Sequence, residues 1–338
     1  MENLDWGNLG FGYRKTDYNV RSYFRGGKWE ELTLSTDENI SMSMAASCLH
    51  YGQECFEGLK AFRGKDGRIR LFRVDENAKR MISSAEYLCM AAPSVEMFTE
   101  AVKKAVLANE RFVPPYGTGA SLYIRPLLIG TGPQIGVHPA DEYLFIVFVM
   151  PVGPYYKEGF HPIKVIIDRD HDRAAPLGTG HIKAGGNYGA SLISGEMGHA
   201  KGYPGVLYLD ACHKKYIDEC GAANFFAIRN GSYITPDSHS VLPSITNKSL
   251  RQLAEDMGLK VERRPVDVAE LPTFEEAGAC GTAAVISPIG SVFDPVSGKT
   301  VVYGDGTKAG PWSEKLYHAL RQLQLGETPD PYGWVTVL

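Results

Sequence analysis

The segment GTGHIKAGGNYGAS, residues 178 to 191, puts one lysine, Lys183, and one tyrosine, Tyr188, into a run otherwise made almost wholly of glycine and small residues. Glycine lets backbone approach a ligand closely and take conformations that other residues avoid. Three readings fit a cation in such a place. The plainest is a surface turn with a solvated lysine, the ordinary meaning of local glycine content. A phosphate cradle is the second, but the run departs from G-x-x-x-x-G-K-[ST], since Ile182 precedes the lysine and Ala184 follows it. The third is an amine nucleophile that forms an imine; it needs a lowered pKa, room for a carbonyl carbon and groups nearby that handle protons, with Tyr188 as the adjacent phenol.

The elements that must position these groups alternate along the chain. In the first half, residues 18 to 24, 67 to 72, 121 to 129 and 142 to 150 read as strands, the last two strongly, because they are rich in β-branched and aromatic residues. Residues 75 to 90 and 95 to 112 carry apolar side chains at three- and four-residue steps and read as helices, the second with an N-cap at Ser94. The Pro- and Gly-rich stretch PVGPYYKEGFHP, 151 to 162, reads as an interdomain connection. Domains are therefore expected at 1–152 and 164–338, joined by a loop at 153–163. Beyond it, 163 to 168, 205 to 210 and 214 to 219 read as strands, and 224 to 236 as a hairpin turning at Asn230-Gly231. A helix is expected over 244 to 258, a strand over 282 to 288 and a C-terminal helix over about 312 to 324. This is an α+β pattern.

Composition narrows the chemistry. A chain of 338 residues, 44% hydrophobic and 22% charged, is long enough for two domains with cores of their own. The formal charge is −4 and there is no basic run, which argues against nucleic acid as a partner. The N-terminus lacks a basic region followed by an apolar one, and no stretch approaches the roughly 20 apolar residues of a membrane helix, so a cytoplasmic protein away from membranes is expected. Six cysteines without C-x-x-C spacing suggest neither a metal site nor a secreted disulfide framework.

Six stretches in order, FEGLKAFRG (56 to 64), SLYIRPLLIGTG (121 to 132), GTGHIKAGGNYG around Lys183, IDECGAANFF around Glu219, LPSITNKSL (242 to 250) and CGTAAVISP (280 to 288), together resemble the branched-chain aminotransferases. The resemblance covers nearly the full chain. It implies a two-domain α+β fold of the fold-type IV, D-amino-acid aminotransferase-like class, with a small N-terminal α/β domain and a larger C-terminal domain built on a β-barrel-like core. It also implies pyridoxal 5'-phosphate as cofactor, a homodimer with shared sites, and transfer of the amino group between leucine, isoleucine or valine and 2-oxoglutarate. Other fold-type IV enzymes, a D-amino-acid aminotransferase or a 4-amino-4-deoxychorismate lyase, would keep Lys183 and Glu219 with different pocket residues. A catalytically idle binder of a phosphate ligand is the alternative outside enzymes.

Residue by residue, the resemblance makes Lys183 the Schiff-base lysine and proton carrier, Tyr188 the phenol on the cofactor's ring oxygen, and Glu219 the carboxylate that keeps the pyridine nitrogen protonated. Arg80, Thr282 and the helix start at Ile245 and Thr246 match phosphate contacts, the last two through unsatisfied amides and the helix dipole. Leu242 belongs to the same cofactor set. Phe56, Tyr51, Tyr123 and Tyr155 match an aromatic pocket wall, with Tyr51, Ile135 and Val137 expected from the partner subunit. Arg125 lies in an apolar strand, where an unpaired charge is costly, so it should face a ligand or a partner. The Thr282-Ala283 backbone would take the α-carboxylate. Two departures stand out: Ala284 and Ser287 replace the C-x-x-C pair of mammalian members, and Ala222 replaces a threonine that supports the tyrosine phenol in some members.

Overall fold

The computed structural model describes residues 4–153 and 160–338, so Tyr155 and most of the expected interdomain loop lie outside the described residues. The chain forms two compact units.

In the first unit, the long strands Ser121–Gly130 and Tyr143–Val152 pair antiparallel along ten residues, Ser121 opposite Val152 and Gly130 opposite Tyr143. Around them the sheet runs Val335–Val337, Ile69–Phe72, Leu59–Arg63, then the long pair, then Asn19–Arg25 and Lys28–Trp29, while Glu54–Phe56 adds to Ser121–Gly130. Alternation along Ser121–Gly130 sends Leu122, Ile124 and Leu128 into the core at 0% exposure and leaves Tyr123, Arg125 and Leu127 half-buried on the other face. The core face is covered by the helices Val74–Tyr87 and Val95–Ala108, which contribute Met81, Ala85, Phe98 and Val102 to it. Each large apolar side chain fully buried there stabilises the unit by about 1.5–3 kcal/mol.

Both helices stop earlier than their periodicity predicts. Asn109, fully buried, ends the second: its amide donates to Ala105 O and Tyr18 O while its Oδ1 accepts from the Asp17 and Tyr18 amides, and a 3₁₀ turn, Glu110–Phe112, follows. The first ends at Tyr87, with Cys89 at φ 54°.

The second unit closes on itself. Its strands run Ile217–Cys220, Gly205–Leu209, Ile163–Asp168, Val285–Asp294, Glu276–Gly281 and Ala223–Arg229, and the last pairs back to the first with Glu219 opposite Asn224. This six-strand ring is the expected β-barrel-like core, filled by Val165, Leu207, Phe225, Ala279 and Val292. The hairpin turn at Asn230 and Gly231 has φ of 49° and 70°, the left-handed pair that a two-residue turn requires. The strand expected from 214 begins at Ile217 because the Asp210 carboxylate gathers the amides of His213, Lys215 and Tyr216 into a turn. Likewise the strand expected from 282 begins at Val285, after a turn over Thr282 and Ala283.

The division between the units is less simple than a single linker. Met1–Lys157 is joined by Ile182–Gly185 and Gln322–Leu338; the second unit is Glu158–His181 with Gly186–Arg321. The C-terminal segment returns because Val335–Val337 completes the edge of the first sheet, where Trp334 packs edge-on against Phe72. With these additions the first unit is no smaller than the second. Lys183 therefore belongs to the first unit and Tyr188, Glu219 and Thr282 to the second.

Candidate active site

Lys183 sits between the 3₁₀ turn Thr179–His181 and the helix Gly185–Ala190, in a short segment pinned at both backbone groups. Its amide donates to Ser84 Oγ on the helix Val74–Tyr87 at 3.0 Å, its carbonyl accepts from the Phe56 amide at 3.1 Å, and Ala184 bridges Cys55. Alternation buries Ile182 and Ala184 and turns the half-buried lysine the other way, with Nζ 4.7 Å from the centre of the Phe56 ring. The glycine-rich run is thus tied to a strand and offers one amine, rather than forming a solvated turn.

Phe56, Tyr123 and Arg125 come together on the face of the sheet that points away from its helices. Arg125 stacks over Phe56 at 4.6 Å and lies 5.4 Å from the Tyr123 ring, and its Nη2 donates to Tyr123 Oη at 3.0 Å. Its Nε is buried without a hydrogen-bond partner among the described residues. A guanidinium in this state is half satisfied, and it suits an incoming carboxylate. Tyr51 ends the short helix Ser47–Tyr51 and donates to the Ile135 carbonyl. Tyr51, Ile135 and Val137 are 42%, 75% and 85% exposed, large apolar groups that this chain leaves uncovered.

Arg80 lies on the helix Val74–Tyr87, paired through Nε and Nη2 with both oxygens of Glu57 at 2.7 Å. Glu57 is fully buried and also accepts from Asn77 Nδ2 at 2.7 Å. A buried carboxylate of this kind is stable only with such donors. The sequence reading missed Glu57 and Asn77, although an acid inside the apolar stretch FEGLKAF demands a cation elsewhere in the chain.

In the second unit Glu219 is 2% exposed. Its Oε1 accepts from the Leu242 amide at 2.8 Å and from Asn224 Nδ2 at 3.1 Å, and its Oε2 lies 3.3 Å from Arg173 Nε. The 3.3 Å separation is an ion pair without hydrogen-bond alignment, since Arg173 Nε has no hydrogen-bond partner among the described residues. The contacts continue: Asn247 Nδ2 donates to Asn224 Oδ1 at 3.1 Å and to Thr235 Oγ1 at 2.9 Å, and Tyr233 Oη donates to Asn247 Oδ1 at 2.9 Å. Asn247 is in the first turn of the helix Ile245–Asp256, capped by Ser244 Oγ, which accepts from the Asn247 amide at 3.1 Å. Ile245 and Thr246 at that helix start are buried. Leu242 leads into it, so the expected carboxylate and the expected phosphate helix belong to one network. Arg173, Asn224 and Asn247 were not expected; only the short Glu219-to-Asn224 turn, IDECGAAN, hinted at the pairing.

Tyr188 lies half-buried in the helix Gly185–Ala190. Thr282 and Ala283 form the half-buried turn between Glu276–Gly281 and Val285–Asp294. That turn ends on Val285 at φ 68°, a strained conformation for a β-branched residue that persists only when its surroundings enforce it. Among the described residues no group of three or more His, Cys, Asp and Glu side chains could hold a metal ion, and no helix is long and apolar enough to cross a membrane.

These groups suit the cofactor implied by the resemblance. A buried carboxylate that accepts from a backbone amide and an asparagine beside a guanidinium fits a protonated ring nitrogen, a capped helix start fits a phosphate, and an amine beside an aromatic face fits an aldehyde.

Comparison with known proteins agrees. The model of the amino-transferase class IV family matches residues 54–292. The branched-chain-amino-acid aminotransferase of Haemophilus influenzae is 46% identical over 342 residues, covering 99% of each chain, and a chloroplastic branched-chain-amino-acid aminotransferase of Arabidopsis thaliana is 47% identical, covering all of this chain and 82% of its own. Among solved structures, the Escherichia coli branched-chain amino acid aminotransferase aligns with TM-score 0.80 at 28% identity over 95% of this chain and 99% of its own. A T.th. branched-chain amino acid aminotransferase, solved with pyridoxamine 5'-phosphate, aligns with TM-score 0.78 at 27% identity, over 95% of this chain and 98% of its own. The chain belongs to the branched-chain-amino-acid aminotransferases, pyridoxal-phosphate enzymes of fold type IV.

Proposed function

We propose how the residues of this chain divide the family's reaction. The chain is an aminotransferase that exchanges the amino group between branched-chain amino acids and 2-oxoglutarate with pyridoxal 5'-phosphate. When bound, the cofactor supplies a carbonyl that takes up the amino group and a protonated ring that draws electron density from the substrate's α-carbon.

Lys183 would hold the cofactor through Nζ and, when free of it, would carry a proton from the substrate's α-carbon and return it at the neighbouring carbon. Its backbone is fixed by Ser84 and Phe56, so only the side chain moves between these positions. Glu219, held by Asn224 and the Leu242 amide beside Arg173, would keep the ring nitrogen protonated. Tyr188 donates to the ring oxygen. Arg80, oriented by Glu57, and Ile245, Thr246 and Thr282 would hold the phosphate, and Leu242 would contact the ring. The backbone at Thr282 and Ala283 receives the substrate's α-carboxylate. Phe56, Tyr123, Tyr155 and the partner's copies of Tyr51, Ile135 and Val137 surround the substrate side chain, and Arg125 takes the second carboxylate of glutamate or 2-oxoglutarate. The enzyme we propose is a cytoplasmic homodimer, in which a second copy covers the exposed Tyr51, Ile135 and Val137.

The observation that carries this reading is the pinned segment Ile182–Gly185, which turns a single amine out of a buried segment toward Phe56. Borohydride treatment of the holoenzyme followed by peptide mapping tests it. The cofactor should be fixed to the peptide containing Lys183; labelling at Lys60 or Lys201 overturns the assignment.

A further inference from the structure

The second unit holds a cavity of about 560 Å³ that has no part in the division of roles above. Among the described residues assigned to the cofactor, Leu242 alone lines it. Its volume is that of a pocket for a small molecule.

A helix face and a pair of strands build it. Ser244, which caps the helix Ile245–Asp256, and then Asn247, Lys248 and Arg251 line the cavity, spacings of three and four residues that put them on one face. The parallel strands Ser232–Pro236 and Lys260–Arg264 contribute Thr235 and Arg263, which are partners in register, and Asp237 follows the first of them. Arg263 Nη2 donates to Asp237 Oδ1. Three cations, Lys248, Arg251 and Arg263, therefore line the cavity with one acid, and that acid is bonded to Arg263.

Arg251 shows what the cavity lacks. Its side chain is half-buried, and its Nε is fully buried without a hydrogen-bond partner among the described residues. Burial, and after it the like charge of Arg263, pull its pKa below the usual arginine value. A buried donor left unsatisfied beside like charge is unfavourable on both counts, and an oxyanion relieves both at once. The charge balance also selects the anion. Lys248 and Arg251 lie one turn apart on the helix and can reach a single group; a phosphate carries nearly two negative charges on one set of oxygens, whereas a carboxylate carries one. Beyond such a group, Ser238 and His239 line the cavity with polar atoms that suit a hydroxylated body.

We propose that this cavity is a second anion site, separate from the cofactor's, which takes the phosphate group of a small phosphorylated molecule on Lys248, Arg251 and Arg263. Asn224 and Asn247, which also line it, belong to the network that holds Glu219, so the ligand lies against groups that position that carboxylate.

Calorimetry of the cofactor-loaded enzyme with inorganic phosphate tests this, since the cofactor already fills its own phosphate site. One saturable site of roughly millimolar or tighter affinity is expected, and Arg251→Met should weaken it about tenfold or more, as the loss of a charged hydrogen-bond donor requires. Lys201→Met removes the same charge from an exposed position outside the cavity and should leave the affinity within about twofold of the parent. Thermal unfolding gives a second readout: phosphate should raise the Tm of the parent and leave that of Arg251→Met unmoved. Succinate, which spreads its charge over two groups, should bind at least about tenfold more weakly than phosphate. No saturable binding below about 10 mM phosphate overturns the proposal, as does equal weakening by Lys201→Met. Loss of phosphate binding in Arg125→Met but not in Arg251→Met would put the ion in the substrate pocket and overturn it too. Equal affinity for succinate, lost in Arg251→Met, would make this a dicarboxylate site and contradict the phosphate assignment.

Discussion

Glu219 in the second unit and Arg125 in the first are both charged side chains on strands, and their surroundings treat them in opposite ways. Glu219 is almost wholly buried and is held by a backbone amide, an asparagine and an arginine, with the asparagine tied in turn to the helix start at Asn247. Arg125 lies between aromatic faces with a hydrogen bond to one phenol and an Nε that no described residue satisfies. A group whose partners are all supplied by the fold is organised before any ligand arrives, and it can act identically on every substrate. A group left half-satisfied stabilises whichever ligand completes it. In the proposed division of roles, ring electronics fall to the second unit and discrimination between substrates to the first.

Three substitutions and one chemical probe sharpen or break that contrast. The largest effect belongs to Lys183→Ala, which should lower kcat by about a thousandfold or more, since a positioned acid-base group is lost; the variant should still retain cofactor through dialysis, read by its absorbance. Glu219→Gln keeps the shape and removes the charge, and steady-state kinetics should report a fall in kcat of at least about tenfold, equivalent to roughly 1.4 kcal/mol. Cofactor affinity should change less.

Asn224→Ala strips one donor from Glu219 and one acceptor from Asn247, both buried, and denaturant titration should report a loss of about 1–3 kcal/mol in stability. The smallest effect concerns thiols. Burial pushes the Cys220 and Cys280 thiols up to about 12, so an alkylating reagent near neutral pH should leave them unmodified while the exposed Cys89 and Cys212 react, as mass spectrometry would record. Rapid loss of Cys220, the neighbour of Glu219, would mean that the second unit opens more readily than its packing implies.

What the sequence made legible follows from how local each signal is. Alternation in SLYIRPLLIG and the Ser244 cap before ITNKSL are written in contiguous residues, and the strand and helix lie where they were expected. The six stretches that carry the resemblance led to the family. Positions set by tertiary partners were not legible. Asn109 ends a helix whose apolar periodicity continues past it, because its side chain takes up the Tyr18 backbone and the Asp17 amide. The Asp210 turn delays a strand. Lys183 joins the first unit because its segment pairs with Cys55 and Phe56 from a distant part of the chain, and no local pattern announces this. The carboxylate partners Arg173 and Asn224, and Glu57 beneath Arg80, were invisible for the same reason: a buried charge requires partners, but the requirement does not name them.

The division of labour is tested most directly by single-turnover half-reactions, in which glutamate and leucine are each mixed with the cofactor-loaded enzyme and the spectral change is followed. Arg125→Met should slow the half-reaction with glutamate by about 100-fold or more, because a buried charge loses a partner costing about 3 kcal/mol or more, while the half-reaction with leucine stays within several-fold of the parent. Glu219→Gln, run alongside, should slow both by the same factor. Equal losses with both amino acids in Arg125→Met would make the arginine structural and contradict the account, and a loss confined to leucine would reverse the assignment of the pocket.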